Sequence, residues 1–209
     1  MEKGLAGLFG ILLVSACSYE GPPVSAGGTS KPPATAASRN DELIGVTMPQ
    51  GVDVPALTGL GDAELAGIVQ SLAEADVEHL ILAVSRSSSP EVQSFAREAI
   101  VSRRGEATQD LALLDELGIV PSVGPVSDEL LREGRDDRAS LQALPGAAFD
   151  RAFIDHHVAL DVRSVAWLDA IAANVESPRL KALVQSDRTS VAGHMREAQH
   201  VQQSTWSGR

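Results

Sequence analysis

Apolar residues recur at spacings of three and four through most of the chain, and this period constrains the fold more than any other feature. One stripe runs Leu65, Ile68, Val69, Leu72, Asp76, His79, Leu80, Ala83, and a second runs Val92, Phe95, Ala96, Ala99, Ile100, Arg103, Ala107, Leu111, Leu114. A third series is Phe149, Phe153, Leu160, Trp167, Leu168, Ile171, and a heptad-like fourth is Leu180, Val184, Asp187, Val191, His194, Ala198, Val201. With about 3.6 residues per turn, such spacing gathers the side chains on one face of an α-helix. Period-two alternation is scarce and aromatics make up only 3 % of the chain, so helix is favoured over sheet.

Helix boundaries are marked by residues that suit caps and breaks. Gly61-Asp62 opens the first helix with Asp62 as its N-cap. Ser89-Pro90 and Ser177-Pro178 each place a capping serine before a proline, the order that starts a helix. The second helix ends near Gly118, and residues 121–125 form a loop bounded by Pro121 and Pro125. A short, charged helix is expected over 127–141, with Leu130, Leu131, Leu141 and Leu144 as its apolar contacts. Pro145-Gly146 interrupts again, and a long helix follows over about 147–174. The sum is an all-α, ferritin-like four-helix bundle, with two helical hairpins joined by a segment carrying a short helix of its own. That segment has the length needed to bring the second hairpin back across the bundle.

The amino-terminal end is of another kind. Residues 4–14 form an uninterrupted apolar run, too short for a bilayer span of about 20 residues but suited to the core of an export signal. Val14-Ser15-Ala16-Cys17 follows, and Cys17 is the only cysteine in the chain. A lone thiol can be a small buried hydrophobe, but two small residues directly before it resemble a bacterial lipobox. That resemblance implies lipidation of Cys17 and removal of the signal peptide 1–16. Ser18 in place of an aspartate then implies sorting to the outer membrane, facing the periplasm or the cell surface. Gly21-Pro22-Pro23, Gly27-Gly28 and Lys31-Pro32-Pro33 make 17–50 a flexible tether, with too little apolar area to offset ordering entropy. The bundle domain is expected over 51–203 and a disordered tail over 204–209.

Charge narrows the choice of partners. Lys and Arg total 17 against 28 Asp and Glu, a formal net charge of −11, which excludes a nucleic-acid partner bound through clustered cations. The membrane contact therefore falls to acylated Cys17 rather than to basic residues. Phosphate-binding glycine loops, Gly-x-Ser-x-Gly elbows, His-Glu-x-x-His pairs and zinc thiolate spacings are all lacking, which argues against a hydrolase or a nucleotide enzyme.

One constellation remains. Asp76 interrupts the first stripe, His157 and Asp161 stand four apart on the fourth helix, and His194 lies on the seam of the last. Carboxylates and imidazoles converging from several helices can hold a transition metal in a bundle core. The same residues can equally form hydrogen-bonded structural pairs, with Arg103, Arg104, Asp150 and Asp187 as ion-pair partners. No Glu-x-x-His pair of the di-iron type is present.

Two stretches carry a wider resemblance: residues 88–96 (Ser88-Ser89-Pro90-Glu91-Val92-Gln93-Ser94-Phe95-Ala96) and 149–156 (Phe149-Asp150-Arg151-Ala152-Phe153-Ile154-Asp155-His156). With Leu180-Lys181-Ala182-Leu183 and Ala192-Gly193-His194-Met195, they resemble a bacterial envelope family known as domain of unknown function 4142. The resemblance covers about 62–203 and implies a ferritin-like fold behind a signal or lipoprotein peptide, with an unknown protein or envelope partner and no established activity. It also implies an acidic residue and a histidine where this chain has Ser102-Arg103-Arg104, a histidine at Asp161, and a glutamate at His157.

Overall fold

The structure is a computed structural model that describes residues 52–206. Cys17 and the stretches expected to form a signal peptide and a tether lie outside the described residues. Five helices follow in order: α1 (Asp62–Arg86), α2 (Pro90–Leu117), α3 (Pro125–Gln142), α4 (Gly146–Asn174) and α5 (Pro178–Trp206). Among the described residues there is no strand, and no helix is long and apolar enough to cross a membrane.

The helix starts follow local chemistry. Ser89 accepts from the Val92 N–H at 3.3 Å, and Ser177 accepts from the Leu180 N–H at 3.4 Å, so both cap-then-Pro signals act as expected. Gly118 ends α2 in the left-handed region (φ 65°), a conformation that favours glycine. The start of α1 differs from expectation. Gly61 is the N-cap, its N–H donating to the Glu64 carboxylate at 3.0 Å. Asp62 instead accepts from the Glu176 and Ser177 N–H groups, each at 2.9 Å, and so ties the α4–α5 turn to the first turn of α1. The helix α5 also continues through Trp206, past the point where a tail was expected, with the Arg151 guanidinium 6.0 Å from the Trp206 ring centroid.

Short connections make α1 with α2, and α4 with α5, antiparallel hairpins. The hairpins meet along two seams, α2 against α5 and α1 against α4. The connecting helix α3 lies against α1 and α4 and runs parallel to α1. Its start is held near the beginning of α1, where the Ser122 N–H donates to Ala63 O at 2.9 Å. Its end is held near the end of α1, where Arg86 donates to the carbonyls of Gln142 and Leu144. The chain therefore returns along α1 before α4 begins.

Gly67 makes the first of these junctions possible, because a Cβ there would sit 2.0 Å from Ser122 O.

Two apolar clusters fill the interior. One, toward the start of α1, includes Leu65, Ile68, Val165, Ile171, Leu180 and Val184. The other includes Leu80, Val92, Phe95, Phe149, Phe153 and Ile154. Each fully buried aliphatic or aromatic side chain of this kind contributes about 1.5–3 kcal/mol. Between the clusters the four long helices bring buried polar side chains to one level.

Candidate functional site: a buried Asp, His and Arg layer

That level is set by helix register. On α1, Asp76 and His79 follow the residues of the first cluster and precede Leu80 of the second. On α2, which runs the opposite way, Arg103 follows Phe95, Ala96 and Ala99. On α4, His157 and Asp161 stand one turn apart between Ile154 and Val165, and on α5 His194 stands between Val191 and Ala198. All six are buried.

Arg103 is the centre of the layer. Its Nε donates to Asp76 Oδ2 at 2.7 Å, its Nη1 reaches Glu106 at 3.4 Å, and its Nη2 faces Asp161 Oδ1 at 3.7 Å. His157 lies between the two aspartates, with Nδ1 at 3.7 Å from Asp76 Oδ1 and Nε2 at 3.5 Å from Asp161 Oδ2. Aromatic rings hold the imidazoles in place: His79, Phe153 and His157 stack on one another in a triangle (centroids 4.6, 5.5 and 5.7 Å apart), and the Phe95 ring meets His157 edge-on at 5.1 Å.

Burial sets the protonation states. His157 is pushed down to about 3, by desolvation first and then by the Arg103 charge. His79 is likewise lowered well below the usual histidine range by burial and by its histidine neighbours. The Asp161 carboxyl is raised well above the usual range by burial and the Asp76 charge, against the pull of Arg103. Burial thus favours the neutral forms of the His79 and His157 imidazoles and of the Asp161 carboxyl, beside the Arg103 guanidinium. Burial penalises the Arg103 charge, but Asp76, Asp161 and Glu106 more than compensate, and its net shift is upward.

Several polar atoms in the layer have no hydrogen-bond partner: Asp76 Oδ1, both nitrogens of His157 and both carboxyl oxygens of Asp161. Asp76, His157 and Asp161 each offer a ligand atom within 4.8 Å of one another, a set with metal-ligand chemistry. His194 is buried nearby but stands outside that set.

The other residues singled out in the sequence lie elsewhere. Asp150 accepts from the Ser88 N–H (3.1 Å) and Oγ (2.6 Å) and so secures the α1–α2 turn rather than joining the layer. Arg104 is exposed. Asp187 is half-buried on α5 with Oδ2 unpartnered. Among the described residues none of these three forms an ion pair. Glu106 was missed in the sequence. It accepts from Ser102 at 2.9 Å and Ser190 at 2.5 Å, and its spacing of three from Arg103 was the available signal.

Fold and layer together define an all-helical domain built around a buried polar level. The chain belongs to the family described as Domain of unknown function (DUF4142), whose model matches residues 47–201. Neither the curated proteins nor the solved structures contain a significant match.

Proposed function

We propose that the protein is a lipid-anchored bacterial envelope protein whose ferritin-like bundle binds a partner or supports the cell surface, without catalysing a reaction. The anchor reading is supported by Cys17, the sole cysteine, placed behind an apolar run and two small residues. Ser18 supports retention at the outer membrane, and the Pro- and Gly-rich stretch after it supports a tether. The return of the chain along α1 by way of α3 supports the ferritin-like topology.

The observation that carries the non-enzymatic part is Arg103. A fixed guanidinium, 2.7 Å from Asp76 and facing Asp161, supplies the positive charge that a catalytic metal would otherwise bring to those carboxylates. His157 and Asp161 are each 1 % exposed, so no substrate reaches them without the helices parting.

A second reading is favoured by the unpartnered atoms of His157 and Asp161. A divalent ion held by Asp76, His157 and Asp161 would satisfy them, at the electrostatic cost of sitting beside Arg103. Coordination lengths of about 2.0–2.2 Å would draw the three side chains together.

Two measurements separate these readings. The Cys17→Ser variant is expected to lose acylation and to be released in the soluble fraction on lysis; a variant that stays with membranes overturns the anchor. Elemental analysis of protein purified from its native envelope is expected to give less than about a tenth of an equivalent of any transition metal. A value near one equivalent establishes the second reading instead.

A further inference from the structure

A cavity of about 330 Å3 opens beside the polar layer, among α1, α2, α4 and α5. Its volume is at the lower bound of small-molecule pockets, which run about 300–1,000 Å3. The cause is visible in α2. Between Arg103 and Leu114 no residue of that helix is fully buried, and the core-facing positions hold Glu106, Ala107 and Asp110 in place of large apolar side chains. On the facing helix, Asp187 takes a seam position between Val184 and Val191. The carboxylates thus occupy space that leucines would otherwise fill.

The walls are apolar, with Val69, Leu72, Leu114, Leu168 and Leu183 among them. Set into them are five carboxyl groups, those of Glu74, Asp76, Glu106, Asp110 and Asp187, against the guanidiniums of Arg103 and Arg104. Arg103 is already shared among Asp76, Glu106 and Asp161, and Arg104 stands exposed at the rim. Glu106 is satisfied by Ser102, Ser190 and Arg103. Asp187, which lines the cavity, keeps a buried, unpartnered Oδ2. Neither Asp110 nor Asp187 is ion-paired among the described residues, although both line an apolar space.

Resting on the reading of the domain as a binding module, we propose that this cavity binds a small organic cation, a primary ammonium on an aliphatic body. The ammonium would lie between Asp110 and Asp187, with its carbon chain along the leucine and valine walls. Three N–H donors suit several unshared carboxylate oxygens, and the hydrocarbon occupies space that water fills poorly. A bare metal ion fits less well, since Glu106, Asp110 and Asp187 do not bring ligand atoms within 4.8 Å of one another. Burial pushes Asp187 up to about 8, with Asp110 and Glu106 adding to it, and burial with the Glu106 charge pushes Asp110 up to about 6. A group held this far from its ordinary value without a partner is one that an incoming cation would relieve.

The test is calorimetric titration of the full chain, purified from whichever cell fraction holds it, with the matching protein-free preparation as the blank. n-Hexylamine is expected to bind saturably at one site per chain. Hexan-1-ol and hexanoate should bind at least about tenfold more weakly, since neither offers the charge-assisted donor. Asp187→Asn should weaken hexylamine at least about tenfold without lowering the thermal midpoint. Leu111→Trp, which fills the cavity from a residue 53 % exposed, should abolish binding while the fold persists. The proposal falls if no saturable heat is seen, if hexan-1-ol binds as tightly as hexylamine, if Mg2+ displaces the amine, or if Asp187→Asn binds like the parent. None of these outcomes bears on acylation of Cys17, so failure here leaves the anchor reading to its own test.

Discussion

Replacing Arg103 by methionine isolates what the guanidinium does in the layer. Methionine has similar length and no charge, so the change removes the ion pair to Asp76 at 2.7 Å, the contact to Glu106 at 3.4 Å and the charge facing Asp161 at 3.7 Å. Asp76 is then left buried with both oxygens unpartnered, since Oδ1 has no hydrogen-bond partner already. Removing one partner of a buried pair costs about 3–5 kcal/mol. At about 2–4 °C per kcal/mol for a domain of this size, the thermal midpoint should fall by about 6–20 °C.

The loss should also depend on pH. Arg103 is the one influence that holds the Asp161 carboxyl down against burial and the Asp76 charge. Without it, the folded-state value rises further above the unfolded value of about 3.9. A group raised in this way stabilises the fold fully below its unfolded value and loses that contribution as pH rises through its folded value. The gap between variant and parent should therefore widen as pH rises through the parent's folded value. Thermal and urea unfolding across the accessible pH range measure it. Combining Asp76→Asn with Arg103→Met should cost less than the sum of the single changes, because the pair is removed together. A variant within about 0.5 kcal/mol of the parent, a pH-independent loss or strict additivity would refute the account of the layer.

Two further predictions concern the backbone and the imidazoles. Gly67→Ala places a Cβ 2.0 Å from Ser122 O and should destabilise by more than about 2 kcal/mol in urea unfolding, whereas Gly193→Ala, with nothing within 4 Å, should stabilise by about 0.5–1 kcal/mol. Equal effects at the two glycines would count against the close junction between α1 and the α2–α3 loop. His157, pushed down to about 3, should show a neutral imidazole in NMR titration down to pH 5. Because its folded value is depressed, the unfolded chain binds the extra proton and stability should fall as pH drops below about 6.5; a folded-state midpoint above 6 would refute the burial argument.

The helices were legible in the sequence because their information is local. Three-and-four spacing of apolar residues marks a face, and Ser-Pro or Pro-Gly pairs mark the ends. The polar layer was legible in part for the same reason: Asp76, His157, Asp161 and His194 each interrupt a stripe, and an interrupted stripe points inward. Depth along the axis was not legible. Asp150 shares a face with His157, but seven residues of helix separate them by about 10 Å, enough to move Asp150 from the layer to the α1–α2 turn. Arg103 and Arg104 are adjacent in sequence and about 100° apart around the helix, and the pattern of the stripe favoured Arg103 without excluding its neighbour. Asp62 had the composition of a cap, yet its bonds go to residues more than a hundred positions away. No local rule anticipates such a partner. The cavity was hidden for a related reason, because it arises from what Glu106, Ala107 and Asp110 fail to fill against Asp187 on another helix.

The Asp62 carboxylate has a mechanical consequence. It lies in the first turn of α1 and grips two amides of the α4–α5 turn. Any pull on the chain ahead of residue 52 meets this clasp before it can peel α1 from its neighbours. The load runs through two parallel hydrogen bonds that share strain, and it passes at once into the opposite hairpin. A bundle gripped this way at its leading edge resists being unzipped from that end.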